Sequence, residues 1–434
     1  VARICIVSPG QLGSNPRVVK EASALAQAGH EVRTVTTKVM ALVEPRDKDV
    51  LATASWTAER VAFDDRLQWA GLRLRQEAAK RLFTVTGSPS VAAAAISAMT
   101  RSLTAAAGAE PADLYIAHYP AALPAAANAA RRHGAVYAYD AEDFHLGDVP
   151  DGAEHESHRA ITRAVEARYL PGAAYVTAAS PGIADAYAAE FGVERPTVLL
   201  NVFSKAKAPE RASPCGTAEP RPSVYWFSQQ AGPQRGLECA VFAIAAARSK
   251  PHLYIRGTLA PGFGETIMAL ARGVGVADRL HLLPPAPPSQ MEALAAGYDV
   301  GLVGETGHTP NRRIALTNKQ FTYILAGVPA LMSDIPAHRT FAATAEGAVS
   351  IFAAEDPASL ARAMDDWLGN AERLAAVRTT AFRLGQETFN WETEQARLIA
   401  CVEGALATSA KSVRARHRPT STLVDGASIN SLEV

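Results

Sequence analysis

The sequence predicts an α/β fold of two doubly wound parallel-sheet domains facing a cleft. Three observations point there. The first 37 residues read as strand, glycine turn, helix and strand. Short apolar runs then alternate with amphipathic stretches along most of the 434 residues. A linker-like stretch divides that alternation into two halves of similar size.

The opening unit sets the pattern. Arg3 to Ser8 (RICIVS) is a continuous apolar run of the kind found in a fully buried parallel strand. Pro9 to Pro16 breaks it, with Gly10 and Gly13 spaced G-x-x-G. Asn15 suits an N-cap and Pro16 the first helical position. The helix ends at Gly29, and Glu31 to Thr36 is the second strand. A strand leading into a helix N-terminus leaves free N–H groups and a field that favours anions. A phosphate-bearing ligand is the expectation. The glycine spacing and the lack of an acidic residue closing the second strand argue against a nicotinamide cofactor.

Helices are predicted over Asp64 to Phe83 and Ser90 to Ala107, a helical insertion at about residues 60–108. The arginines of the first, Arg73 among them, suit either an anionic acceptor or a solvated face. Alternation resumes with the strand Asp113 to His118, the helix Pro124 to His133 and the strand Ala135 to Asp140. A helix over Glu156 to Leu170 and two short strand–helix steps carry the first domain to residue 204. Residues 205–222 have linker composition. The second domain, 223–389, opens on Val224 to Phe227. Residues 390–407 form a last amphipathic helix, and 408–434 read as a disordered tail.

Composition narrows the function. Formal net charge is zero with charges dispersed, so no nucleic-acid partner is expected. Apolar content is 48% without a run long enough to span a membrane. Four cysteines without a C-x-x-C spacing, and no signal pattern, suggest reduced thiols in a cytoplasmic protein. The alanine and arginine bias suggests a GC-rich bacterial source. No metal-ligand cluster, nucleophile elbow or P-loop is visible, so neither metal nor cofactor is expected.

Four stretches then carry a resemblance: SNPRVVKEASALAQAGHEVRTVT near the start, YDAEDFH, QRGLE, and LTNKQFTYILAGVPALMSD, with Asn390-Trp391-Glu392 before the last helix. Here the chain resembles the GT-B glycosyltransferases, specifically the retaining group called family 4. The resemblance implies transfer of a sugar from a nucleoside-diphosphate sugar, with retention and without a required metal. It also implies a last helix that crosses back onto the first domain.

Residue by residue, the resemblance and the local chemistry nominate a site. Asn318 and Lys319 lead into a helix, where N–H groups and an ammonium suit a diphosphate. Arg235 resembles the family's basic residue that offsets the charge of the leaving nucleotide. Thr322 stands where the family often holds the ribose with glutamate, and Glu305 is the nearest strand-end carboxylate. Gly10, Gly13 and Ser14 would bring backbone close to the donor phosphate. His118 resembles the histidine beside the transferred sugar, although a structural histidine fits equally. Glu142 and Asp143 are candidates to orient or deprotonate the acceptor. Asn15, His145 and Arg73 are candidates for acceptor contacts, and Asn201 for a family contact or a hinge. The expected partners are a nucleotide-sugar donor and an acceptor, with a small natural-product or cell-envelope molecule preferred over lipid. A sugar-nucleotide epimerase and a non-catalytic nucleotide-sugar binder are the alternatives.

Overall fold

A computed structural model describes residues 1–63 and 65–416. Two wholly parallel sheets organise it. The first holds β1 (Arg3–Val7), β2 (Glu31–Lys38), β3 (Thr57–Ala62), β4 (Leu114–His118), β5 (Val136–Asp140), β6 (Val176–Ala178) and β7 (Thr197–Val198), in the order β3-β2-β1-β4-β5-β6-β7. The second holds β8 (Ser223–Ala231), β9 (His252–Leu259), β10 (Leu280–Leu283), β11 (Val300–Val303), β12 (Ala330–Ser333) and β13 (Val349–Phe352), in the order β10-β9-β8-β11-β12-β13. Each sheet reverses its strand order beside its first strand, between β1 and β4 and between β8 and β11. Those two switch points are where open α/β sheets collect ligands, outside the carboxyl ends of the strands.

Local chemistry explains the elements that frame the switch points. Four consecutive β1 residues, Ile4 to Val7, are fully buried, as expected of a strand covered on both faces. Asn15 Oδ1 accepts the Val18 N–H at 3.2 Å and starts the helix Pro16–Gln27. Asp65 Oδ1 accepts the N–H groups of Leu67 and Gln68 and starts the helix Arg66–Thr86, which ends on Gly87 in the left-handed region.

The structure corrects several expectations. Between β2 and the expected helical insertion, where no element was expected, lie the helix Glu44–Thr53 and the edge strand β3. Every β3 residue is part-exposed or exposed, so TAERVA carries no buried run to mark it. The expected helix Ser90 to Ala107 is broken into Pro89–Ala95 and Thr100–Ala107. The linker is tied to the second domain: Asp299 accepts the N–H groups of Gly216 and Ser223 and pairs with Arg221, at 2.8 to 2.9 Å. The final helix, Trp391–Arg416, continues past the expected end at 407. The remainder of the expected tail, 417–434, lies outside the described residues. Leu398 and Val402 of that helix are buried in one cluster with Ile4, Val18 and Leu25, so this helix packs into the core of the first domain.

Candidate active site at the interdomain cleft

At the carboxyl end of β4, His118 is completely buried. Its Nε2 lies 2.5 Å from Glu21 Oε2, and its Nδ1 lies 3.2 Å from Asp140 Oδ2 without hydrogen-bond geometry. Asp140, at the end of β5, also takes a bidentate pair from Arg17 at 2.5 and 2.8 Å and the Thr177 hydroxyl at 2.8 Å. Burial opposes the imidazolium, but Glu21 and Asp140 outweigh it and raise the His118 pKa. His118 was expected either beside the transferred sugar or as a structural histidine, and the structure places it among buried charged partners. His118 thus sits inside a closed network with Glu21, Asp140 and Arg17 that ties the ends of β4 and β5 to the first helix.

One residue on, the site opens. Tyr119 holds a left-handed φ of 66°, which a non-glycine residue adopts only when its surroundings impose it. Its hydroxyl donates to Glu142 Oε2 at 3.1 Å, and Asn201 Nδ2 donates to Glu142 Oε1 at 3.4 Å. Burial raises the Glu142 pKa, despite the nearby charge of Arg17. Beside it Lys20 Nζ donates to Asn201 Oδ1 and Val202 O, both at 2.7 Å, and sits over the rings of Phe203 and Trp391. Burial lowers the Lys20 pKa to about 7.

Asp143 and His145 serve a different contact. Asn311 of the second domain donates from Nδ2 to Asp143 Oδ1 at 2.9 Å and to Asp148 Oδ1 at 3.0 Å, while its Oδ1 accepts the Phe144 N–H. Asp143 is thus a bridge between domains, not an unengaged base. His145 Nδ1 pairs with Asp148 at 2.9 Å, and its ring packs against Tyr119. Burial opposes its charge, but the Asp148 hydrogen bond and charge prevail and raise its pKa to about 9.

Facing these residues, the second domain gathers its cations around one carboxylate. Glu305 lies just past β11 and is buried. Lys319 Nζ donates to its Oε1 at 2.8 Å, and Arg235 Nη1 lies 3.8 Å from its Oε2. Burial pushes the Glu305 pKa up, yet the charge and hydrogen bond of Lys319, followed by Arg235, bring it down to about 2. Lys319 also sits 5.2 Å over the Trp226 ring. Asn318 and Lys319 open the helix Asn318–Leu325, whose N-cap Thr317 makes no capping hydrogen bond. Its first N–H groups are left for another acceptor. Thr322 lies one turn further in, fully buried, and its hydroxyl donates to Glu292 Oε1 at 3.4 Å. A carboxylate therefore reaches the Thr322 position from the neighbouring helix Met291–Ala296.

The G-x-x-G turn is tied together by internal hydrogen bonds. Gly13 N–H is taken by Asp47 Oδ1 at 2.7 Å, and a Cβ there would stand 2.6 Å from Arg46 Cβ. Gly10 N–H donates to Ser8 Oγ, and the Ser14 hydroxyl donates to Gln11 O at 2.8 Å. Asn15 is buried as a helix cap and also reaches Ser8 Oγ. Arg73 is exposed on its helix, where it contacts Gln76. Sequence reasoning missed Arg17, Lys20, Glu21, Asp140, Glu292 and Asn311. The first three share one helix face at i, i+3 and i+4, a polar spacing on an otherwise apolar helix that could have marked them.

Two parallel-sheet domains, with the last helix returning to the first, are the architecture of the GT-B fold. Residues 13–201 match the model of the glycosyl transferase 4-like domain. No curated protein matches the chain in sequence. Among solved structures, Anabaena HepE in complex with UDP superposes with a TM-score of 0.66 at 13% identity, covering 92% of this chain and 99% of its own. Sucrose-phosphate synthase from Thermosynechococcus elongatus gives 0.65 at 15% identity, covering 94% and 100%. TarM gives 0.63 at 9% identity, covering 92% and 98%. At these identities the likeness is one of fold. Among the described residues no helix is long and apolar enough to cross a membrane, and no group of three or more metal-ligating side chains is present.

Proposed function

We propose that the chain transfers a sugar from a nucleoside-diphosphate sugar, of the uridine class, to an acceptor hydroxyl, with retention at the anomeric carbon. The observation that carries this reading is the convergence of Arg235, Lys319 and the uncapped helix start at Asn318 beside Glu305. HepE, solved with UDP and with UDP-glucose, supports the nucleotide class.

In this reading the diphosphate lies against Arg235, Lys319 and the N–H groups of the helix start. Burial lowers the Lys319 pKa, and an arriving anion raises it again. As the sugar–phosphate bond breaks, negative charge grows on the leaving oxygen. Fixed cations and a helix dipole aimed there stabilise the transition state more than the ground state. These groups can meet the leaving charge without a metal ion. The acceptor hydroxyl enters from the first domain near Glu142, which accepts its proton within the Tyr119 and Asn201 hydrogen bonds. The leaving phosphate then guides attack on the face it vacates. Asn311 bridging to Asp143 and Asp148 suits a cleft that closes over the donor and excludes water.

Calorimetric titration with UDP, GDP, ADP and dTDP, repeated with Arg235→Ala, tests the donor assignment. Selective UDP binding weakened at least about tenfold in the variant supports it. Binding of none of the four overturns it.

A further inference from the structure

Of the nine large apolar side chains that stand exposed among the described residues, seven lie between Val39 and Val85. Such clustering on one part of a surface marks an interaction site, whereas scattered exposure does not. Four of them, Leu67, Leu74, Leu82 and Val85, belong to the helix Arg66–Thr86. At about 100° per residue Leu67, Leu74 and Val85 stack within about 20° of one another. Leu72, Gln76 and Phe83 point the opposite way and are the buried face. The helix therefore has two apolar stripes back to back, and only one is explained by the core. Leu67 and Leu74, 85% and 73% exposed, belong to the other.

The charge along this helix is predominantly positive. Arg66, Arg73, Arg75, Lys80 and Arg81 stand on this helix against the single carboxylate Glu77. Arg75 and Arg81 flank the stripe on either side. Beside it a cavity of about 440 Å³ lies between this helix and Thr100–Ala107, lined by Gln68, Arg75, Arg101 and Ser102. The patch also has a fixed place. β2 and β3 end together, with Lys38 paired to Ala62, and the segments that follow them carry Met40 and Leu42 on one side and the start of the helix on the other. Both exposed groups thus grow from one corner of the sheet, at its cleft-facing edge.

We propose that this face docks the enzyme on an anionic lipid bilayer. Leu67, Leu74 and Val85 enter the boundary between headgroups and acyl chains, and Arg75 and Arg101 take lipid phosphates at the mouth of the cavity. An apolar stripe flanked by cations is the amphipathic pattern of a helix lying in a membrane interface. Docking at the cleft edge presents the acceptor side of the site to molecules held in the membrane, in place of the small soluble acceptor expected from sequence. The inference goes beyond the donor reading and stands or falls without it.

Flotation of the full chain with vesicles tests it, using phosphatidylcholine alone or mixed with phosphatidylglycerol. The protein is expected to float with the mixed vesicles only, and raised salt is expected to lower its recovery. Leu67→Asp with Leu74→Asp abolishes flotation, while the melting curve and the UDP titration stay as in the wild type. Arg75→Glu with Arg101→Glu lowers recovery at least about tenfold. Protein that stays at the bottom of the gradient with mixed vesicles overturns the proposal, as does flotation unchanged by the paired leucine variant. A dimer seen by light scattering without lipid, and dissociated by that variant, overturns it in favour of a second copy of the chain.

Discussion

Lys20 Nζ reaches Asn201 Oδ1 at 2.7 Å, fastening the first helix of the chain to the segment by which it leaves the first domain. The same ammonium lies over Trp391, where the chain returns. Both crossings between the domains therefore meet on one side chain, next to the Glu142 carboxylate.

Because burial lowers the Lys20 pKa to about 7 from 10.5, the folded protein releases this proton before the unfolded chain does. The cost of burying the charge is full below about pH 7 and fades between about pH 7 and about pH 10.5, so the Lys20 contribution to stability rises with pH there. Against Lys20→Met, the wild type is expected to gain stability across that window. Urea unfolding of both proteins from about pH 6 to about pH 10 measures it, and parallel curves would remove Lys20 as the cause.

Glu305 behaves in the opposite sense. Its pKa falls from 4.5 to about 2 on folding, so its contribution is complete above about pH 4.5 and is lost as pH drops toward 2. Glu305→Gln leaves Lys319 buried without its anion, and a loss of about 3 kcal/mol is expected near neutral pH. That deficit narrows in acid. Adding UDP recovers part of it, because the diphosphate supplies the missing charge, and a thermal shift with and without UDP reads this directly.

Glu142→Gln keeps the shape of the side chain and the bond from Asn201, turns an NH2 donor toward the Tyr119 oxygen, and removes the basicity. Turnover is expected to fall about 100-fold to about 10,000-fold while donor affinity holds. In the wild type the raised Glu142 pKa makes activity climb with pH through a value above 4.5. An equally active Gln variant would assign proton removal to another group.

His118→Gln separates network from chemistry. With its pKa raised above 6.5, the histidine stabilises the fold fully below about pH 6.5, and the effect is lost as pH rises through the raised value. The variant leaves the buried Glu21 without its histidine partner, while Asp140 keeps Arg17. A loss of about 3 to 5 kcal/mol is expected in acid and a smaller one in alkali. A variant as stable as the wild type at every pH would return His118 to the list of groups available to the sugar.

Much of this was legible in the chain. Strands such as β1 and β4 announce themselves as unbroken apolar runs because both faces of a parallel sheet are covered, while β3, at an edge, lacks that signature. Arg235, Glu305 and Lys319 were legible because each sits where a strand ends or a helix begins. The fate of His118 was not, because its partner Glu21 lies 97 residues away and only the fold brings the two together. The Glu292 carboxylate was hidden for the same reason, since Thr322 reads as a loss until a neighbouring helix is placed beside it.

The return of the last helix sets a rule for recombination. Leu398 and Val402 close a core that begins with Ile4, so residues far apart in the sequence build one domain and the stretch between them builds the other. A hybrid that exchanged everything after residue 223 between two such enzymes would carry a foreign plug into its own first core. A hybrid that exchanged only the stretch between, and kept Trp391 onward with its original first domain, would replace the second domain and leave the first core intact.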